Sequence, residues 1–467
     1  MFFVDTLEIE GLGNRSYLAG GPDGAVAIDP PRDIDQVIAA AARRGVRIAY
    51  VAETHVHNDY VTGGLELARI TGAHYLVPAA AAVSFRRVLV HDGDEFDVDP
   101  AAGLALRAVA TPGHTPHHTS YVLAEAGRPV AAFTGGSLLI GTVGRPDLVE
   151  PRLTEDLARA QHASAHRLAD GLADDVAVLP THGFGSFCSA GRSAGTATTI
   201  GAERHRNEAL VKDVDTFVAD LLAGLDDIPA YYAHMGPLNA AGPAPVDLTP
   251  PAPAAAAELA RRLAAGEWVV DLRARTAFAA GHLAGSFNIE AEGQLATYLA
   301  WLIPWGKPVT LLAESPAQLA AAQRELARVG IDRPAAAATG GPEDWLLPGS
   351  QPRAFRRATF ADLAAALTAA DGDGDGEGHG GPAPVVLDVR RAAERAAAHL
   401  DGTHHIPLHQ LHRRGTELPD GPVWVHCAGG MRAAIAASLL DAAGREVVAV
   451  DDAFTSAAEA GLTVVTA

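Results

Sequence analysis

Residues 423–440 read VWVHCAGGMRAAIAASLL, an apolar strand-like run that ends on Cys427, followed by two glycines, Arg432 and an alanine-rich helical run. A strand that stops on a thiol and restarts as a helix curls backbone N–H groups around the sulfur at the positive end of the helix dipole. Ala428, Gly429, Gly430 and Met431 would form that cradle, with Arg432 beside it. In such a field the thiol is expected to ionise and serve as a nucleophile. A cysteine in an apolar strand is commonly inert packing, but packing does not ask for paired glycines and a guanidinium.

Outward from this stretch, the same pattern occurs twice. WVVDLRARTAFAAGHLAGSFNI (268–289) and VTLLAESPAQLAAAQREL (309–326) parallel VVLDVRRAAERAAAHLDGTHHIPL (385–408) and residues 423–440. The second blocks align without a gap, so Cys427 faces Ala313 and Arg432 faces Gln318. Only the C-terminal copy can do thiolate chemistry. Upstream, short β-rich runs alternate with helical stretches near 33–44 and 153–168, which predicts an α/β fold. GPLNAAGPAPVDLTPPAPAAAA (236–257) reads as a linker. Domains are expected at 1–240, 241–352 and 353–467, consistent with a chain of 467 residues of which 48% are hydrophobic.

A net charge of −20 argues against nucleic acid and anionic membrane surfaces as partners. Two distant cysteines make no disulfide framework, and no export signal or spanning segment is visible, so the expected location is the cytoplasm. In ETHVHNDYVTGG (53–64), His55, His57 and Asp59 alternate and are expected to converge; His114 in ATPGHTPHHTSY and His182 in VLPTHGFGSFCSAG add imidazoles. Among the remaining signals, Cys188 follows a Gly-Ser-Phe segment close to His182 and could approach the metal pocket, although it reads first as a plain buried thiol, and His117 and His118 offer at most one further ligand beside His114. His404, His405 and His409 read as loop decoration. DGDGDGEGHGG, from Asp371, starts like a calcium loop but has Pro382 where the twelfth-position glutamate is needed, so it reads as a flexible acidic loop.

The strand end Asp388-Val389-Arg390, the segment from His399 to Pro407 and the loop Cys427-x-x-Gly430-x-Arg432 resemble the rhodanese sulfurtransferases, over roughly 258–346 and 358–466. A cysteine phosphatase loop has five residues between cysteine and arginine; this one has four, a size suited to sulfur donors. One departure is VDDAFTSAAEAG at 450–461, where the family often has paired glycines and an aromatic residue, as the first copy does in TGGPEDW. Residues 1–235 resemble the metallo-β-lactamase superfamily, and the whole resembles persulfide dioxygenase and rhodanese fusion proteins. The resemblance implies an N-terminal αββα sandwich followed by two rhodanese-like domains with central parallel sheets, and self-association into a homo-oligomer.

It further implies a Cys427 persulfide, with Arg432 and loop amides holding an anionic substrate, and small-molecule partners: persulfides, thiosulfate, sulfite and low-molecular-weight thiols. In the family, iron is held by the first histidine of HxHxDH, a TPGH-type histidine and an aspartate after FTG. The first two map to His55 and His114, whereas this chain reads Phe133-Thr134-Gly135-Gly136, and Tyr60 replaces the last histidine of HxHxDH. A two-metal centre is therefore not expected. His55, His57 and His114 remain as ligands for one Fe(II) or Zn(II), with Asp59 and His182 in reserve, and the losses at 136 and 60 leave open that no metal binds. Three activities follow: persulfide oxygenation coupled to sulfur transfer, sulfur transfer alone on a metal-degenerate scaffold, or zinc-dependent thioester hydrolysis.

Overall fold

The computed structural model describes residues 2–191, 195–371 and 383–466. The acidic run between 372 and 382 lies outside the described residues. The chain divides into two compact units, residues 1–248 with 324–332 and residues 249–323 with 333–467.

The first unit is a two-sheet sandwich between helical layers. One sheet takes the order β1 (Phe3–Ile9), β2 (Asn14–Gly20), β3 (Gly24–Ile28), β4 (Arg47–Ala52), β5 (His74–Pro78), β6 (Val88–Val90). It is antiparallel through β3 and parallel beyond. The other comprises β7 (Glu95–Asp99), β8 (Leu104–Ala110), β9 (Thr119–Glu125), β10 (Arg128–Gly135), β11 (Ala177–Pro180) and β12 (Thr198–Thr199), in the reverse of that order. Side chains alternate across each strand, so both faces are apolar. Tyr17, Ala19, Val26 and Ile28 meet Leu106, Tyr121 and Phe133 between the sheets. Leu18, Ala25 and Ala27 face the helices Asp35–Arg44 and Gly64–Thr71, while Val122, Ala132 and Val178 face Thr154–Gly171 and Val214–Ala223. Each large side chain removed from water this way contributes roughly 1.5–3 kcal/mol.

The second unit repeats one motif. β13 (Trp268–Asp271), β14 (Phe287–Asn288), β15 (Val309–Ala313) and β16 (Ala336–Thr339) form a parallel sheet in the order β14-β13-β15-β16. A second parallel sheet has the order β17-β22-β21-β18-β20, from β17 (Arg356–Ala358), β18 (Val385–Asp388), β20 (His404–His405), β21 (Val423–His426) and β22 (Val447–Val450). A small antiparallel pair, β19 (Ala398–Leu400) and β23 (Val464–Thr466), sits beside it. Each copy carries the same hook at the carboxyl end of its first long strand: Arg273 chelates Asp271 and bonds the Gly281 carbonyl, as Arg390 chelates Asp388 and bonds that of Ala398. The copies touch through His282 on Asp441 and Arg275 on Asp451, and Arg353, where the two copies join, also bonds Asp441. No helix among the described residues is long and apolar enough to cross a membrane.

The expected linker is ordered at its start. A helix, Tyr232–Ala241, runs through Pro237. Asn239 anchors it, donating to the carbonyls of His57 and Tyr60 (both 2.8 Å) and accepting from the Thr62 N–H. Tertiary bonds thus outweigh the proline's helix-breaking tendency.

Candidate functional site

Polar residues gather where β4, β8, β10 and β11 end, because the loops leaving those ends are free of ladder hydrogen bonds. The His55 ring centroid lies 4.1 Å from that of His57, 4.8 Å from His114, 5.0 Å from His118 and 5.3 Å from His182. All five imidazoles are buried. His117 is exposed and stands apart from them.

Two carboxylates that sequence reasoning passed over organise the group. Asp29 accepts from the Thr54 N–H and hydroxyl (2.7 Å each) and from the Thr181 hydroxyl, tying the histidine loop to the end of β11. Asp29 and Glu53 each stand 3.2 Å from His57 Nε2. Burial alone would lower the His57 pKa, but these two carboxylates raise it to about 10. Asp29 directly follows the apolar β3 run, a charge at the mouth of a buried strand; that was the available signal.

Burial holds His55 and His118 well below the ordinary imidazole value. His114 is lowered to about 3 by burial and by the neighbouring His182. Its Nδ1 bonds the Arg145 carbonyl at 2.8 Å, which fixes the tautomer and leaves Nε2 buried without a partner. His182 Nδ1 lies 3.0 Å from Asn14 Oδ1 and 3.2 Å from Asp59, and its Nε2 lies 3.3 Å from His55 Nε2. Asn14 also donates to Asp59 at 2.7 Å. His118 is committed elsewhere: its Nε2 accepts the Gly136 N–H at 3.0 Å and its Nδ1 meets the Thr111 hydroxyl. Tyr60 gives its hydroxyl to the Asp29 carbonyl and packs its ring on His57.

Among the described residues, three sets of donor atoms fall within 4.8 Å of one another: His55, His57 and His182; His114, His182 and Cys188; and Asp29, Glu53 and His57. The expected trio of His55, His57 and His114 shares one cluster, but His114 is grouped with Cys188 and His182 rather than with His57. A facial triad that draws its carboxylate from position 136 does not fit. A Cβ on Gly136 would lie 2.2 Å from His114 Cδ2, and one on Gly144 would lie 2.6 Å from His114 Nδ1. The imidazole fills the space that a carboxylate side chain at 136 would need.

The cysteine loop follows β21. Gly430 takes φ +91°, a conformation open to glycine, and turns its N–H onto Cys427 Sγ at 3.2 Å before the helix Met431–Ala442 begins. Ala428 and Gly429 are exposed, while Cys427 itself is buried. Arg432, five residues after Cys427, carries an ion pair. Both its terminal nitrogens are held by Glu394, at 2.6 and 2.7 Å. Burial would raise the Glu394 pKa, but the Arg432 guanidinium holds it at about 2. In the first copy, where Ala313 and Gln318 stand for the cysteine and arginine, Ala277 stands for Glu394, so the ion pair is absent as a unit.

A pocket beside the loop is walled by Arg391, His409 and Arg432 and, from the first copy's helix Leu295–Leu302, by Tyr298 and Trp301. Trp301 stacks on His409 at 4.8 Å. His409, expected as loop decoration, is thus part of the wall, whereas His405 bonds the Arg390 carbonyl.

A helix-flanked double sheet with histidines at its strand ends, followed by two parallel-sheet repeats of which one bears a cysteine loop, defines a metallo-beta-lactamase domain joined to tandem rhodanese-like domains. The Metallo-beta-lactamase superfamily matches residues 10–182, and the Rhodanese-like domain matches 255–347 and 376–460. The chain is 29% identical over 245 residues to human "Persulfide dioxygenase ETHE1, mitochondrial", spanning 51% of this chain and 82% of that protein. It is 33% identical over 148 residues to hydroxyacylglutathione hydrolase of Acidiphilium cryptum, spanning 31% of this chain and 55% of that one. A metallo-beta-lactamase structure from Staphylococcus aureus superposes with a TM-score of 0.64 at 26% identity, covering 73% of this chain and 98% of that one.

Proposed function

We propose that this protein is an enzyme of sulfur metabolism whose group-transfer chemistry runs through Cys427. The observation that carries the reading is the Gly430 N–H directed at Cys427 Sγ from the start of a helix, a donor that stabilises the thiolate and, after reaction, the terminal sulfur of a persulfide. The thiolate attacks the sulfane sulfur of thiosulfate or of a low-molecular-weight persulfide. An S–S bond forms at Cys427, the donor's S–S bond breaks, and sulfite or a thiolate leaves with the electron pair. An acceptor thiolate or sulfite then attacks the terminal sulfur and releases the Cys427 thiolate. Arg432, bound to Glu394, stiffens the first turn of the helix and lends positive potential to the pocket; direct anion contacts fall to the loop amides. Similarity to a protein named persulfide dioxygenase supports persulfides as the substrate class. The N-terminal domain has glycine, not a carboxylate, at 136.

The test is persulfide mapping. After thiosulfate treatment, the peptide carrying Cys427 should gain the mass of one sulfur atom, and Cys427→Ser should lose transfer to cyanide and thiols. Transfer that survives in Cys427→Ser, or a persulfide found on Cys188, refutes the reading.

A further inference from the structure

The N-terminal cluster offers a sulfur donor that the three-histidine reading leaves out. Thr181 and His182 leave β11 into Gly183-Phe184-Gly185, where both glycines have positive φ (118° and 102°), and the chain doubles back to set Cys188 beside His182 and His114. Cys188 is fully buried, and its thiol lies 3.8 Å from the Tyr232 hydroxyl. Several buried atoms of the cluster lack hydrogen-bond partners, among them His114 Nε2 and Asp59 Oδ1. Leaving such atoms dry costs roughly 1–3 kcal/mol each. A cation would satisfy both.

We propose that the N-terminal domain binds one thiophilic divalent cation, of the Zn²⁺ or Co²⁺ class, through His114 Nε2, His182 Nε2 and the Cys188 thiolate, with Asp59 as fourth donor. Outer bonds already fix both imidazoles: His114 Nδ1 on the Arg145 carbonyl, and His182 Nδ1 on Asn14 and Asp59. A nitrogen and thiolate set selects borderline-soft ions over Fe(II) of the two-histidine, one-carboxylate kind. Binding displaces one proton: the Cys188 S–H bond breaks, an S–metal bond forms and H⁺ goes to solvent. His55 faces the same space through His182, so a nitrogen-only site at His55, His57 and His182 is the competing arrangement.

Co²⁺ added to the metal-free full chain distinguishes them. One equivalent should bind with an intense near-ultraviolet thiolate-to-cobalt charge-transfer band that persists in Cys427→Ser and vanishes in Cys188→Ser. X-ray absorption at the zinc edge of the unmutated protein should show one sulfur neighbour at about 2.3 Å, a measurement that needs no variant to fold. A nitrogen- and oxygen-only shell, a band that survives in Cys188→Ser, or no stoichiometric binding overturns the proposal. Persulfide formation at Cys427 is unaffected by any of these results, so the two readings fail separately.

Discussion

Replacing Glu394 with glutamine removes the carboxylate that chelates Arg432 and leaves a largely buried guanidinium with one neutral acceptor. Side-chain exposure is 16% for Glu394 and 11% for Arg432, so water replaces little of the lost partner. Breaking a buried pair from one side costs about 3–5 kcal/mol, and the single bond that glutamine keeps returns about 1 of it. The depressed carboxyl is compatible with this: holding it at about 2 instead of 4.5 corresponds to about 3 kcal/mol. Because the folded-state pKa is depressed, this stability is fully present above pH 4.5 and drains away as pH falls toward 2. Thermal unfolding followed by loss of sulfur transfer should therefore show Glu394→Gln melting about 5–10 °C lower near neutral pH, with the gap closing in acid. The double variant Glu394→Ala/Arg432→Gln, which copies the first repeat's pairing of Ala277 and Gln318, should recover part of the loss. A Glu394→Gln melt within a degree of the unmutated protein at pH 7, or a double variant no better than Glu394→Ala alone, would show that the pair does not brace the loop.

Three further substitutions probe the sites. Gly430→Ala would place its Cβ 1.9 Å from Asp451 Oδ1 at φ +91°, so the loop amide must leave the sulfur; transfer rates should fall by about 10²-fold, since such a donor typically carries that much. Trp301→Phe weakens the stack on His409 and should raise KM for sulfur donors about 2–10-fold with little change in kcat, matching the 0.5–1.5 kcal/mol of an aromatic pair; an unchanged KM would remove the first copy from the donor pocket. Gly136→Asp restores the letter of the iron motif but drives a side chain into His114. Its N-terminal domain should melt lower and gain no stoichiometric iron, as unfolding curves and metal analysis would report.

What the sequence made legible is what short-range geometry dictates. The strand, cysteine, glycine and arginine order required the loop, and the internal repeat marked its silent twin. His55, His57, Asp59, His114 and His182 were placed just beyond strands because apolar runs of four to eight residues with β-branched residues and polar ends read as strands. Glu394 was hidden inside the alanine-rich RRAAERAAAH, where a lone carboxylate looks like a solvated helix face; only the fold brings it to Arg432, 38 residues further on. Asn239 was hidden for the same reason in a segment whose prolines read as linker, although its amide clamps the loop that carries His57. Tyr298 and Trp301 sit in a helix so uniformly apolar that sequence offers only burial.

Cys188 shows where residue-by-residue reading stops. A single thiol in an apolar context is far more often packing than ligand, and nothing between positions 114 and 188 announces that Gly144, Gly136 and the 183–185 turn are parts of one arrangement. Yet the same small residues that deny the site its carboxylate give His114 room to sit with its Nε2 facing the space beside His182 and Cys188. The loss at 136 and the sulfur at 188 are then two sides of one change in donor chemistry, from oxygen toward sulfur. Position 136 therefore cannot be judged without position 188: a carboxylate introduced at 136 must displace the imidazole on which the sulfur-containing set depends.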